Sequence, residues 1–178
     1  MHEIVSNELG YEGRLLKLRV ETVRVGGGQT VTREVIEHPG SVSIVPIDDE
    51  DRVILVRQYR PAVANMLFEI PAGTLEPGES PEETALRELR EEIRMRAERL
   101  REIGSYYLAP GYSSELMHAY VASGLRPAPL PRDLDEDIRL ESIPFTELAE
   151  QVVRGVLRDA KTVSAVLLLA YERGLHGC

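Results

Sequence analysis

The sequence predicts an α/β protein in which helices sandwich a mixed sheet, with an antiparallel β-hairpin region at the N-terminal end. Two observations point there. Short segments of alternating apolar and polar residues outnumber the three stretches with helical periodicity, and the two kinds do not alternate regularly along the chain. A doubly wound parallel sheet would require that regular alternation. The 178 residues are enough for one domain with a sizeable core and somewhat short for two.

Residues 14–24 alternate over most of their length, residues 30–38 do the same, and Gly26, Gly27 and Gly28 supply the turn of a hairpin. Val42 to Pro46 and Val53 to Tyr59 are expected to pair around the turn-rich run Asp48–Asp51. Leu67 to Ile70 is a short strand stopped by Pro71. A helix over 81–93 follows. Ser80 and Glu83 make a capping box, and Pro81 takes the first helical position, where its missing N–H costs nothing. Leu86, Leu89 and Ile93 form its apolar stripe. Strands are expected near 102–108, 115–122 and 138–143. A helix then runs from Pro144 and Thr146 to about Val156. The last one runs from Lys161 to Arg173 and is ended by Gly174. Pro127 to Pro131, with the acidic residues after it, reads as a surface loop.

Composition narrows the function classes. Hydrophobic residues at 43% and charged residues at 29% describe an ordinary soluble protein, so a cytoplasmic location is the default. A net charge of −9 argues against nucleic acid as a partner, because phosphate-tracking surfaces are basic. It leaves room for an anionic substrate if metal ions come between the two. Met1 to Gly10 contains no apolar run of the secretory kind. Val163 to Ala170, the longest apolar stretch, falls far short of the roughly 20 residues that span a bilayer, so no membrane partner is expected. The one cysteine, Cys178, excludes an internal disulfide and the zinc-type cysteine spacings.

The chemistry is concentrated between residues 73 and 92. Gly73, Glu79, Arg87, Glu88, Leu89, Glu91 and Glu92 spell G-x5-E-x7-R-E-U-x-E-E, with U a bulky aliphatic residue. On a helix Glu88 and Glu92 stack one turn apart with Glu91 beside them, away from the apolar stripe and therefore expected to face outward. Like charges so placed repel, and a cation between them reverses the sign. Mg²⁺ suits such carboxylates, since it takes one or two of them with waters and substrate phosphates; Mn²⁺ can replace it. Taken alone, R-E-x-x-E-E reads as a solvated face with Arg87 and Glu91 paired. Gly73 and Glu79 at fixed offsets from Arg87 make it more specific. No G-x-S-x-G occurs, and His2, His38, His118 and His176 form no motif.

These residues resemble the Nudix hydrolase signature. The resemblance implies a Nudix-type α/β/α sandwich and Glu88 and Glu92 as principal metal ligands. It makes Glu91 a further ligand or support, the Ala72 carbonyl another ligand, and Gly73, Glu79 and Arg87 the shapers of the loop–helix unit. The family usually has Gly where this chain has Arg94, so the helix is expected to run a turn further, toward Met95–Ala97.

Outside the signature the chain resembles the ADP-ribose pyrophosphatase branch. The matching segments are Val56–Pro61, Glu69–Gly73 and Ala109–Glu115, with Pro110 as the marker. The implied reaction is Mg²⁺-dependent hydrolysis of ADP-ribose to AMP and ribose 5-phosphate. GDP-mannose or another nucleotide sugar is the alternative substrate. A non-catalytic nucleotide-binding module is the other reading, disfavoured because Glu88, Glu91 and Glu92 are all present.

Arg57 and Arg60 could grip phosphates or make surface salt bridges, and because residues three apart on a strand face opposite ways, only one of them is expected to reach the substrate. Glu69 could support Arg60 or a metal, and Tyr112, with Tyr106 and Tyr107, could stack on a base or belong to the core. The resemblance takes the general base from the acidic loop at 133–137. Glu136 is preferred, with Asp137 and Glu115 as alternatives. It further implies a homodimer in which the N-terminal region, residues 1–40, is exchanged between subunits, with residues 41–178 forming the hydrolase domain.

Overall fold

Strand β4 (Ser41–Pro46) is buried along its entire length and organises the larger part of the protein. The structure is a computed structural model and describes residues 3–14, 16–131 and 138–175. Two compact units are present, one made of residues 1–40 and 107–116, the other of 41–106 and 117–178.

In the first unit, β1 (Glu3–Glu12), β2 (Lys17–Arg24) and β3 (Thr30–Glu37) form an antiparallel sheet in that order. The expected hairpin is β2–β3. Its turn is closed by the Val25 N–H donating to the Gln29 carbonyl at 2.8 Å, with Gly27 and Gly28 at positive φ. Strand β1 goes beyond the sequence reading. It is exposed on all ten residues, so no buried face imposes an alternating pattern, and register shifts between Ile4 and Ser6 and between Leu9 and Tyr11 interrupt its two-residue period further. The segment carrying Pro110 is tied to β3: the Ile36 N–H donates to the Tyr112 carbonyl at 2.7 Å, and Ser114 N–H to the Ile36 carbonyl at 3.0 Å.

The second unit contains β5 (Arg52–Arg60), β6 (Asn65–Glu69), β7 (Ala72–Thr74), α1 (Pro81–Glu92), β8 (Met95–Arg96), β9 (Arg99–Tyr107) and β10 (Leu116–Ser123). It ends with β11 (Arg126–Pro127), β12 (Arg139–Pro144), α2 (Phe145–Val153) and α3 (Ala160–Glu172). One sheet has the order β7-β4-β10-β9, with β4 parallel to β10 and antiparallel to β7. A second, antiparallel sheet has the order β12-β5-β6. The predicted pairing of β4 with β5 is corrected: they belong to different sheets, and the ladder expected between them is reduced to an isolated Ile47–Val53 bridge just past β4. The Asp48–Asp51 turn does reverse the chain, with the Asp48 side chain accepting from Glu50 and Arg52 N–H groups. The long-range partners of β4 then outcompete its neighbour in sequence.

Alternation along the strands produces the layers. Val45, Ile47, Val53, Leu55 and Ala119 pack with α2 and α3 residues, whereas Val42, Ile44, Val56, Tyr120 and Ala122 pack with Ala85, Leu89 and Ile93 of the α1 segment. Helices therefore cover both faces, giving the α/β/α arrangement with a mixed sheet.

Candidate active site

Helix α1 begins as its sequence dictates. Ser80 Oγ accepts from the Glu83 N–H at 3.3 Å, Glu83 Oε2 accepts from the Ser80 N–H at 2.8 Å, and Pro81 opens the first turn. Its end departs from expectation. The helix stops at Glu92, and Arg94 adopts φ 64°, the left-handed conformation that Gly usually supplies at this place. The Arg94 carbonyl accepts from the Ala128 N–H at 2.9 Å, and Met95–Arg96 pairs with Arg126–Pro127. These contacts turn the chain despite the side chain, so no further helical turn forms.

The carboxylates are also placed differently from the expected outward face. Glu88 is 8% exposed and Glu92 3%, and the apolar contact is made by Ala85, Leu89 and Ile93, with Leu86 half-buried. Strand β7 accounts for this. Gly73 lies so close to Glu88 that a Cβ there would fall 1.8 Å from Glu88 Oε1. The Ala72 N–H donates to Glu92 Oε2 at 3.1 Å. The strand thus cradles both carboxylates.

Arg87 joins the acidic groups. Its Nη1 donates to Glu88 Oε1 at 2.7 Å and to Glu91 Oε2 at 2.9 Å; its Nε donates to Glu79 Oε1 at 3.0 Å, and its Nη2 reaches Glu79 Oε2 and the Thr74 carbonyl. This arginine holds the Glu79 carboxyl below the usual carboxylate range, helped by the Thr84 hydroxyl. Arg87 and Glu79 therefore staple the loop to the helix.

A second charged group surrounds Glu69, which is 1% exposed. Arg60 grips it with two hydrogen bonds, Nε to Oε1 at 2.8 Å and Nη2 to Oε2 at 2.7 Å. Lys161 Nζ also donates to Oε2. Burial alone would push the Glu69 carboxyl up, but Arg60 and Lys161 outweigh it and hold it low. The structure thus pairs Glu69 with Arg60 and Lys161. Arg57 has different surroundings: its guanidinium lies 5.3 Å from the Phe68 ring centroid, and its buried Nε has no hydrogen-bond partner among the described residues. Lys161 escaped the sequence reading, where it only opened the last helix. A lysine in a first turn, two residues after an Asp N-cap, was the available signal, because that helix end disfavours cations.

The donor set fits a hard divalent cation. Glu88, Glu91, Glu92 and the Ala72 backbone offer only oxygen, and the space under Gly73 suits a carboxylate and nothing bulkier. Among the described residues no three acidic or imidazole side chains already converge as a closed ligand set. Arg87 occupies the position between Glu88 and Glu91 instead, and Mg²⁺ needs only one or two carboxylates beside waters and phosphate oxygens.

Tyr112 and Glu115 belong to the first unit. Tyr112 is 60% exposed, and the Glu115 N–H donates to the Ser113 hydroxyl oxygen at 3.2 Å. Tyr107 is exposed, whereas Tyr106 is half-buried and donates to the Lys161 carbonyl at 3.2 Å. Glu136 and Asp137 lie outside the described residues. His118 sits on β10 with its Nδ1 3.1 Å from Glu102 Oε1. Two clefts of about 460 and 620 Å³ share Phe68, Gln151 and Leu157, and no α1 residue lines either of them.

The NUDIX domain model matches residues 37–166. The chain is 38% identical over 173 residues to the methanol dehydrogenase activator of Bacillus methanolicus, covering 96% of this chain and 94% of that protein. It is 35% identical over 174 residues to the ADP-ribose pyrophosphatase of Bacillus subtilis (strain 168), with coverage of 97% and 94%. A solved structure of an ADP compounds hydrolase superposes with a TM-score of 0.87 at 28% identity, covering 99% of this chain and 96% of that one.

Proposed function

The chain belongs to the Nudix hydrolases, and from that premise we propose that it hydrolyses the diphosphate of ADP-ribose to AMP and ribose 5-phosphate, with Mg²⁺ as the metal. The observation that carries the chemistry is the pair Glu88 and Glu92 held buried under Gly73 and the Ala72 N–H. Carboxylates removed from water at this spacing serve a cation. The substrate is supported by near full-length likeness to an enzyme named for ADP-ribose. Hydrolases of this family generally depend on a divalent metal.

The reaction adds water to one phosphorus, breaks the bridging P–O bond, and passes a proton to a base. Bound metal would lower the pKa of water and neutralise charge on the leaving oxygen. Glu88, Glu92 and the Ala72 carbonyl would hold it, with Glu91 as support. Arg87 and Glu79 keep the loop fixed on the helix. Arg60, oriented by Glu69, would meet the diphosphate, and Arg57, three residues away on the same strand, is the alternative. Glu136 would take the proton. Tyr112 and Glu115, in the segment that carries Pro110, would contact the substrate, Tyr112 by stacking on the base. We extend the same proposal to a cytoplasmic homodimer exchanging residues 1–40. Among the described residues no helix is long and apolar enough to cross a membrane.

The test is incubation with ADP-ribose, GDP-mannose and diadenosine polyphosphates, with Mg²⁺ or chelator, and identification of products by mass. Preferential metal-dependent release of AMP and ribose 5-phosphate is expected. Preference for GDP-mannose would move the substrate assignment and keep the metal site. Absence of any turnover would refute the reading. Sedimentation at micromolar concentration tests the dimer.

A further inference from the structure

Lys161 stands where a helix least favours a lysine. It lies in the first turn of α3, at the positive end of the helix dipole, and is 8% exposed. Two carboxylates compensate for this. Its Nζ donates to Glu69 Oε2 and, at 2.9 Å, to Asp159 Oδ1. Asp159 is also the N-cap of α3, its Oδ2 accepting from the N–H and the hydroxyl of Thr162 at 3.0 and 2.6 Å. Thr162 Oγ1 in turn accepts from the Ile70 N–H at 3.0 Å, which joins the start of α3 to the chain entering the metal-binding strand.

Arg60, Glu69, Lys161 and Asp159 thus form a row of alternating charge whose formal sum is zero. The negative fields of Asp159 and Glu92 both reach the Arg60 guanidinium. Packing alone would be served as well by apolar residues, which commonly replace buried ion pairs at no cost in stability.

We propose that Lys161 and Asp159 set the net charge that an anionic substrate meets at Arg60. By donating to Glu69 Oε2, Lys161 takes up part of the carboxylate charge, so Arg60 keeps more of its own for the diphosphate. Asp159 draws on Lys161 and limits that effect. Lys161 is a positioning residue that acts through Glu69, and Asp159 is its counterweight. The inference rests on the reading that Arg60 meets the diphosphate.

Opposite signs follow for the two residues. The experiment measures KM and kcat for ADP-ribose at saturating Mg²⁺ in the full-length protein, with Mn²⁺ affinity by electron paramagnetic resonance. Lys161→Met removes a positive charge near the site and is expected to raise KM about tenfold with kcat within about threefold. Lys161→Arg keeps the charge and should stay within about threefold of wild type. Asp159→Asn retains a capping oxygen and removes a negative charge, so KM should fall about threefold. Mn²⁺ affinity should not weaken in any of them.

KM moving in the same direction in the Met and Asn variants, or staying unchanged in the Met variant, overturns the proposal. If Lys161→Met gives no cooperative thermal transition, the sign of the Asp159→Asn change decides alone. A wild type inactive on every nucleoside diphosphate sugar overturns this inference together with the proposed function. An active wild type with the wrong signs overturns only the inference.

Discussion

Replacing Gly73 by Ala isolates what the β7 cradle does. A Cβ at this position would sit 1.8 Å from Glu88 Oε1, 2.0 Å from its Cδ and 2.6 Å from its Cγ. Non-bonded heavy atoms settle at about 3.5 Å or more, so the Glu88 carboxylate must retreat by roughly 1.5–2 Å. The retreat breaks its 2.7 Å bond from Arg87 and takes an oxygen out of the proposed metal site. Glu88 is a flexible side chain, which keeps the structural cost near the lower end of overpacking, about 1–2 kcal/mol. For a chain of this size that corresponds to a fall in Tm of roughly 2–8 °C. The catalytic cost is larger, because a misplacement of about 1 Å in a reacting constellation costs on the order of 100-fold. Gly73→Ala is therefore expected to remain folded at 25 °C and to lose at least about 100-fold in kcat/KM, with weaker Mn²⁺ binding. Thermal scanning, initial rates and Mn²⁺ titration read the three quantities. Activity within threefold of wild type with unchanged Mn²⁺ affinity would refute the reasoning.

Arg94→Gly should stabilise the protein, because a non-glycine residue at φ 64° carries a penalty of about 1–2 kcal/mol that glycine escapes and chain entropy partly offsets. A Tm that fell would show that the Arg94 side chain contributes more than the strain costs. Stability should also weaken in acid through Glu69. Its folded pKa lies below the unfolded value of about 4.3, so its contribution is fully present above that pH and is lost as pH falls through the folded pKa. Urea unfolding between pH 7 and 3 should show a smaller acid loss in Glu69→Gln than in wild type, and equal losses would remove Glu69 from this account. Glu136→Gln is expected to lower kcat with little change in Mn²⁺ affinity. A loss confined to Glu115→Gln would move the base to Glu115.

Local chemistry was the part of the fold most legible in the sequence. The Ser80–Pro81–Glu83 start of α1 and the Asp48 turn depend on neighbours within four residues, and both appear as expected. Alternation in β4 and β5 was visible too, but alternation marks a strand without naming its partner. Strand β4 therefore pairs with β10 and β7 where the sequence suggested β5. The helical period placed Glu88 and Glu92 on one face and could not say which strand would cover that face. That depends on Gly73, fifteen residues away, passing close to Glu88. Arg94 defeated the reading because arginine disfavours the conformation it adopts, and only contacts such as Ala128 N–H to its carbonyl impose it. The alternating charges around Glu69 come from three separate segments, so only half of that network, Arg60 and Glu69, could be seen in advance.

The parallel pairing of β4 with β10 has a consequence for how this protein is made. The cradle, β4, β7 and α1, is contained in residues 41–92, whereas Met117, the partner of Ser41, is synthesised 76 residues after it. At roughly 5–20 residues per second, one edge of a strand buried on all six residues waits about 4–15 s on the ribosome for its neighbour. During that interval the β10-facing edge of β4 offers unpaired backbone, and Val45, whose cover comes from α2 and α3, offers bare aliphatic surface to any other nascent chain. Yield from cells should therefore depend on translation speed and chaperone supply across residues 46–122 more than on the stability of the finished enzyme.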